Sequence, residues 1–255
     1  MCNNINGHRE LGSIEVRELT PVFLYLDIEK AMKQLDIYID ESGNFDSYSK
    51  HNLIYSVAFV MVDSLDKKTN DKQMAIFHSK LSNIVGGDHF VHVGNLVRGE
   101  KPYEETLLSE RQDLFYILFL LAKYSKFKVV CSIAEKKEIN NEIYEGITDS
   151  VIATVKGLES YLSSYEKVIV HYDNGQDFLK GALLVAFRII SKNVAMVKTL
   201  QQENAFMQVA DLFSYFELIK YKIQKAGLSK YEIDFFGESR KIKKDYLKQL
   251  EKKRI

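Results

Sequence analysis

Apolar and polar positions alternate over residues 35–40, and the run stops at Ser42-Gly43-Asn44, which predicts a strand followed by a turn. Residues 53–62 are rich in β-branched and aromatic side chains and read as a second strand, the hairpin partner of the first. A helix over about 71–84 ends at Gly86-Gly87; a loop with His89, His92 and Gly94 follows, then an amphipathic helix over about 104–123. Residues 127–133 predict a third strand and 147–162 a further helix. Residues 168–173 are almost continuously apolar up to Asn174-Gly175, as in a strand buried on both faces. A helix over 178–190, a short strand over 194–200 and a helix over 205–223 complete the pattern. The last helix is apolar around most of its circumference, so it belongs in the interior. Strands cluster first and then alternate with helices, which predicts an α/β fold: a mixed sheet with helices on both faces and a helical insertion before the third strand.

Two prolines, Pro21 and Pro102, and no Gly/Ser-rich stretch leave little room for a linker, so one domain with an appendage at each end is expected. Residues 1–31 mix polar positions with one apolar patch, Val22-Phe23-Leu24-Tyr25-Leu26, and are set apart as an N-terminal extension; 32–224 is the domain, and 225–255 a basic helical tail. Apolar residues at 46% can supply a sizeable core. Cys2 and Cys131 are too few for a disulfide framework or a structural zinc site. No apolar run is long enough for a membrane span and no secretory pattern opens the chain, so a reducing, cytoplasmic setting is expected. The net charge is zero, yet residues 220–255 hold 12 Lys/Arg against 5 Asp/Glu, and the rest of the chain is correspondingly acidic. A basic segment on an acidic body suits contact with a polyanion, although charge runs are commonly just solvated faces.

Three aspartates carry the candidate chemistry. Asp40 ends an otherwise apolar strand in Ile37-Tyr38-Ile39-Asp40-Glu41-Ser42-Gly43, and Asp173 ends Val168-Ile169-Val170-His171-Tyr172-Asp173. Ends of central strands are where sites form in such sheets. Asp211 lies among apolar neighbours in Phe206-Met207-Gln208-Val209-Ala210-Asp211-Leu212, with Gln208 one turn earlier on the same side. Each has an ordinary alternative: Asp40 and Asp173 as turn residues, Asp211 on the polar stripe of a core helix. Together they pose an electrostatic problem. Two carboxylates about 4 Å apart repel by roughly 4 kcal/mol at an effective dielectric of about 20, so three in one cleft must raise each other's pKa or share a cation. Oxygen ligands suit Mg²⁺ or Mn²⁺ rather than zinc. Strand alternation turns Glu41 away from Asp40, so it is treated as auxiliary. His92 is a candidate ligand or proton shuttle; His78 and His89 lack zinc spacing with it, and His171 reads as a satisfied core histidine.

Tyr38-Ile39-Asp40-Glu41-Ser42-Gly43-Asn44, the His92 loop, the strand ending at Asp173, and Met207-Gln208-Val209-Ala210-Asp211-Leu212 together resemble the domain-of-unknown-function family 3800. The resemblance runs from about Met32 to Lys222. It implies a ribonuclease H-like fold in which acidic residues from the first strand, a middle strand and a final helix meet at a metal site. Asp40, Asp173 and Asp211 match those positions, and His92 matches a histidine often found before the family's long central helix. A place in phage defence or mobile-element biology is implied by resemblance alone.

The expectation is thus a metal-dependent nuclease acting on DNA or RNA, with Lys241, Lys243 and Lys244 contacting phosphates. The alternative is a non-catalytic nucleic-acid-binding or regulatory module on the same fold, favoured by the acidic body. A glycosidase carboxylate pair is the weaker option, because a chain without tryptophan offers no evident sugar platform.

Overall fold

The computed structural model describes residues 33–43, 53–86, 89–136, 143–190 and 193–255. The expected extension over 1–31 lies outside them. Strands β1 (Gln34–Ser42), β2 (Ile54–Asp63), β3 (Lys128–Glu135), β4 (Lys167–Tyr172) and β5 (Val194–Lys198) form one sheet in the order β3-β2-β1-β4-β5. The β1–β2 and β2–β3 pairs are antiparallel, whereas β1–β4 and β4–β5 are parallel. A mixed sheet of this order, with helices on both faces, is the α/β layout expected from the sequence.

The central strand shows how the pattern becomes a core. Leu35, Ile37 and Ile39 point to one face and pack in a cluster with α4 (Ile143–Gly157) and α6 (Asp177–Ile190). Tyr38 points to the other, with α1 (Lys67–Val85), α2 (Val93–Arg98), α3 (Leu108–Tyr124) and α7 (Ala205–Lys225). These helices α1–α3 are the insertion before β3. A short α5 (Glu159–Leu162) follows α4, so the single helix expected over 147–162 is broken after Gly157. Helix α7 is buried at every position from Ala205 to Glu217, in keeping with its apolar circumference.

A second element differs from its sequence reading. Gly94 was expected in a loop, but Val93–Arg98 is helical. No side chain next to it in the chain caps this short helix. Instead the Val93 N–H donates to Asp211 Oδ2 at 2.7 Å, across 118 positions of sequence. A cap supplied from so far away leaves no local signal, while Val93, Leu96 and Val97 supply the buried face.

Beyond α7 the chain stays on the same core. Helix α8 (Lys230–Phe236) buries Phe235 and Phe236, and Ile242 and Leu250 are also buried. Arg254 bridges to Val129 of β3 and pairs with Glu217 of α7.

Asn204 starts α7 by accepting the Phe206 N–H at 2.8 Å and also donates to Tyr38 Oη at 3.1 Å. Asn204→Ala is expected to lower unfolding free energy by about 1–2 kcal/mol in urea titration. An unchanged midpoint would show that this cap does not hold the helix.

Candidate functional site

Three features of the fold assemble the acidic residues. Parallel pairing sets Ile39 opposite Tyr172, so Asp40 and Asp173 leave neighbouring strands at the same end of the sheet. Alternation turns Asp40 to the face covered by α7, where Asp211 lies; both are buried, at 5% and 1% exposure. Glu41 turns to the opposite face, towards Tyr172, whose hydroxyl donates to Glu41 Oε1 at 3.3 Å. The cavity opens across the strand ends, however, so alternation does not exclude Glu41. Asp40, Glu41, Asp173 and His92 all border one space of about 900 Å³. The Asp-Glu-Ser-Gly turn that shapes this rim needs its glycine: Gly43 has φ +111°, and a Cβ there would lie 2.7 Å from Ile54 O.

Each carboxylate has protein partners. Asp40 Oδ1 accepts the Glu41 N–H at 3.0 Å, and Oδ2 accepts Gln201 Nε2 at 2.8 Å. Asp173 Oδ1 accepts the Gly175 N–H at 2.7 Å, which is the turn role open to it from sequence. Asp211 is not part of the cavity lining; it sits behind the His92 segment and fixes it. Gln208 helps, accepting the Val91 N–H at 2.9 Å and donating to Gln201 O at 3.1 Å. His92 Nδ1 stands 3.7 Å from Asp211 Oδ2, too far for a hydrogen bond.

Burial is the largest influence on the three raised carboxyls, Asp40, Glu41 and Asp211. It drives the Asp40 pKa well above the usual carboxylate range, with further increases from Asp211, Glu41 and Asp173. Glu41 is pushed up to about 8 by burial and then by Asp173, against the opposing Tyr172 hydrogen bond. Asp211 is raised by burial, and His92, the Val93 N–H and Arg98 offset part of that.

Among the described residues, Glu41 Oε2, His92 Nδ1 and Gln201 Oε1 are buried without a hydrogen-bond partner. An unpaired carboxylate oxygen beside two other carboxylates suits a hard divalent cation in donor chemistry and charge. In spacing the arrangement is looser: among the described residues no three His, Cys, Asp or Glu side chains are grouped tightly enough to hold a metal ion. The residues fit such an ion in kind, with Asp40, Glu41 and Asp173 as the side chains bordering its space.

Sequence reasoning did not single out Gln201, which hydrogen-bonds Asp40, or Arg98, which borders the same cavity with Glu100. Neither lies in a motif, and both are exposed-type polar residues in otherwise ordinary segments. His171 is satisfied as expected, with Nε2 2.9 Å from Asp36 Oδ1 and Nδ1 2.9 Å from Thr199 Oγ1. This Thr–His–Asp row resembles a nucleophile relay, but none of the three borders either described cavity. Lys241, Lys243 and Lys244 are exposed and do not border the acidic cavity; Lys252 and Lys253 line a smaller one at the opposite end of the sheet. Among the described residues no helix is long and apolar enough to cross a membrane.

No family model matches the chain, and no curated protein matches it. Among solved structures, a mutant of Bst-RNase HIII is similar at 14% identity and a TM-score of 0.39, over 86% of this chain and 65% of that one. The chain therefore spans less than two thirds of that neighbour's length.

A carboxyl with a raised folded pKa stabilises the fold only while protonated. For Glu41 the benefit is complete below the unfolded value of 4.5 and is lost as pH rises through about 8. In chelator, the melting temperature is expected to fall across that interval, and Glu41→Gln is expected to flatten the fall. A melting temperature that rises over the same interval would contradict the acidic cluster.

Proposed function

We propose that this protein is a metal-dependent nuclease that hydrolyses phosphodiester bonds of nucleic acid at the strand-end cavity. The observation that carries this reading is the set of carboxylates Asp40, Glu41 and Asp173 bordering one space, with Glu41 Oε2 buried and unpartnered. Such a set of carboxylates, when ionised, is poorly tolerated without a cation. The acidic motifs also support grouping the chain with the domain-of-unknown-function family 3800. When bound, Mg²⁺ or Mn²⁺ supplies activation of water and stabilisation of the leaving oxygen.

The chain's own residues do the rest. Glu41 and Asp173 offer oxygens from the ends of β1 and β4. Gln201 and the Glu41 N–H orient the Asp40 carboxylate. Asp211 acts from behind, holding the Val93 N–H so that His92 borders the cavity, where its half-exposed ring can pass a proton to or from solvent.

A second reading, a non-catalytic nucleic-acid-binding module, is favoured by one observation. Both Asp40 oxygens and Asp211 Oδ2 already accept hydrogen bonds from the protein, so part of the acidic set is satisfied without a cation. Calorimetric titration with Mn²⁺ separates the two, because a pure binding module takes up no metal.

Asp40→Asn and Asp211→Asn are each expected to reduce Mg²⁺-dependent cleavage by roughly a hundredfold or more. Gln201→Ala, which frees the Asp40 carboxylate, should cost roughly tenfold to a hundredfold in Mn²⁺ affinity. A wild-type protein that cuts none of a broad panel of single-stranded and duplex DNA and RNA would refute the nuclease assignment.

A further inference from the structure

The rest of the cavity lining is built differently. Among the described residues, two Lys/Arg side chains border the cavity, Arg98 and Lys222. Lys222 is buried and committed to Glu232 at 2.5 Å. Arg98 is held from behind: its Nε donates to Glu100 Oε1 at 2.7 Å and its Nη2 to Asn95 Oδ1 at 3.2 Å. Its Nη1 has no protein acceptor among the described residues and lies over Gly94, where a Cβ would stand 3.2 Å away. A guanidinium fixed on two nitrogens, with the third open, is preorganised for one phosphate oxygen.

The same lining carries an aromatic face. Tyr231 borders the same cavity, is 60% exposed, and stacks on no other ring among the described residues. Its backbone is nonetheless fixed. The Lys222–Glu232 pair ties the first turn of α8 to α7, and Glu232 also accepts the Ser229 N–H at 2.7 Å in a capping box. An exposed ring on an anchored helix is a stacking platform for an unpaired base.

The charge count argues against a duplex. A duplex-binding track neutralises roughly six to ten phosphates, and this cavity presents one uncommitted guanidinium nitrogen beside several carboxylates. We infer that the cavity takes a short unpaired stretch of nucleic acid, with one phosphate on Arg98 and one base on Tyr231. This rests on the cavity being a nucleic-acid site, as proposed above, and goes further by naming single strands as its ligand.

The test is fluorescence anisotropy with the full chain in Ca²⁺. The probes are fluorescein-labelled oligothymidylate and oligouridylate, each alone and annealed to its complement. The single strands are expected to bind about tenfold more tightly than the annealed forms. Arg98→Met should weaken single-strand binding and lower the slope of log affinity against log salt by about 0.7, one phosphate's share. Tyr231→Ala should weaken binding about tenfold with the slope unchanged, and Tyr231→Phe should restore it. Both side chains are exposed, so melting temperatures close to wild type are expected and verify folding. Equal affinity for annealed probes, or an unaltered slope in Arg98→Met, overturns the inference even if Mg²⁺-dependent cleavage is observed. Single-strand binding that follows these rules without any cleavage supports the inference and removes the nuclease reading; binding of neither probe form removes both.

Discussion

Asp40 and Asp211 are buried on facing elements, β1 and α7, and the rest of the site follows from keeping them there. Charge in a low-dielectric interior must be neutralised by protonation, by hydrogen-bond donors or by a counterion. The protein uses donors first. Asp40 receives the Glu41 N–H and Gln201, and Asp211 receives the Val93 N–H. The Asp211 contact stabilises a carboxylate and at the same time starts a helix that has no cap of its own. Packing and electrostatics are therefore coupled: the helix that carries Arg98 and the loop that carries His92 are placed by a core carboxylate. Glu41 Oε2 is left buried without a donor, on a residue that borders the cavity.

The cavity in turn has two unlike sets of lining residues. One is acidic and lies at the ends of parallel strands, where neighbouring chains leave the sheet together and side chains from both faces meet. The other consists of an arginine held by Glu100 and Asn95 and an exposed tyrosine on an anchored helix. An anionic ligand approaching the acidic wall alone would be repelled. On the proposed reading, a cation among the carboxylates and the Arg98 guanidinium in the same lining would make a phosphodiester acceptable in that space.

Much of this was legible in the chain. The period-two pattern before Ser42-Gly43 and the apolar run before Asn174-Gly175 gave both site-bearing strands, and the apolar circumference of α7 gave its burial. Asp40 and Asp211 stood out because a lone carboxylate in an apolar run needs a reason. Long-range hydrogen bonds were not legible. The α2 helix depends on Asp211, and the Asp40 orientation depends on Gln201, and neither partner is near in sequence. Alternation places Glu41 on the opposite face from Asp40, as found, but it does not tell that both residues border one cavity at the strand end. The basic segment was visible as composition, but which lysines border which cavity is decided by how the last turns fold back onto β3 and α7.

The central claim is that the strand-end carboxylates share a divalent cation, and anomalous scattering from crystals soaked in Mn²⁺ tests it most directly. The account predicts a peak in the space bordered by Asp40, Glu41 and Asp173, lost in crystals of Asp40→Asn. Density elsewhere, or none at this position with the cluster ordered, would contradict it.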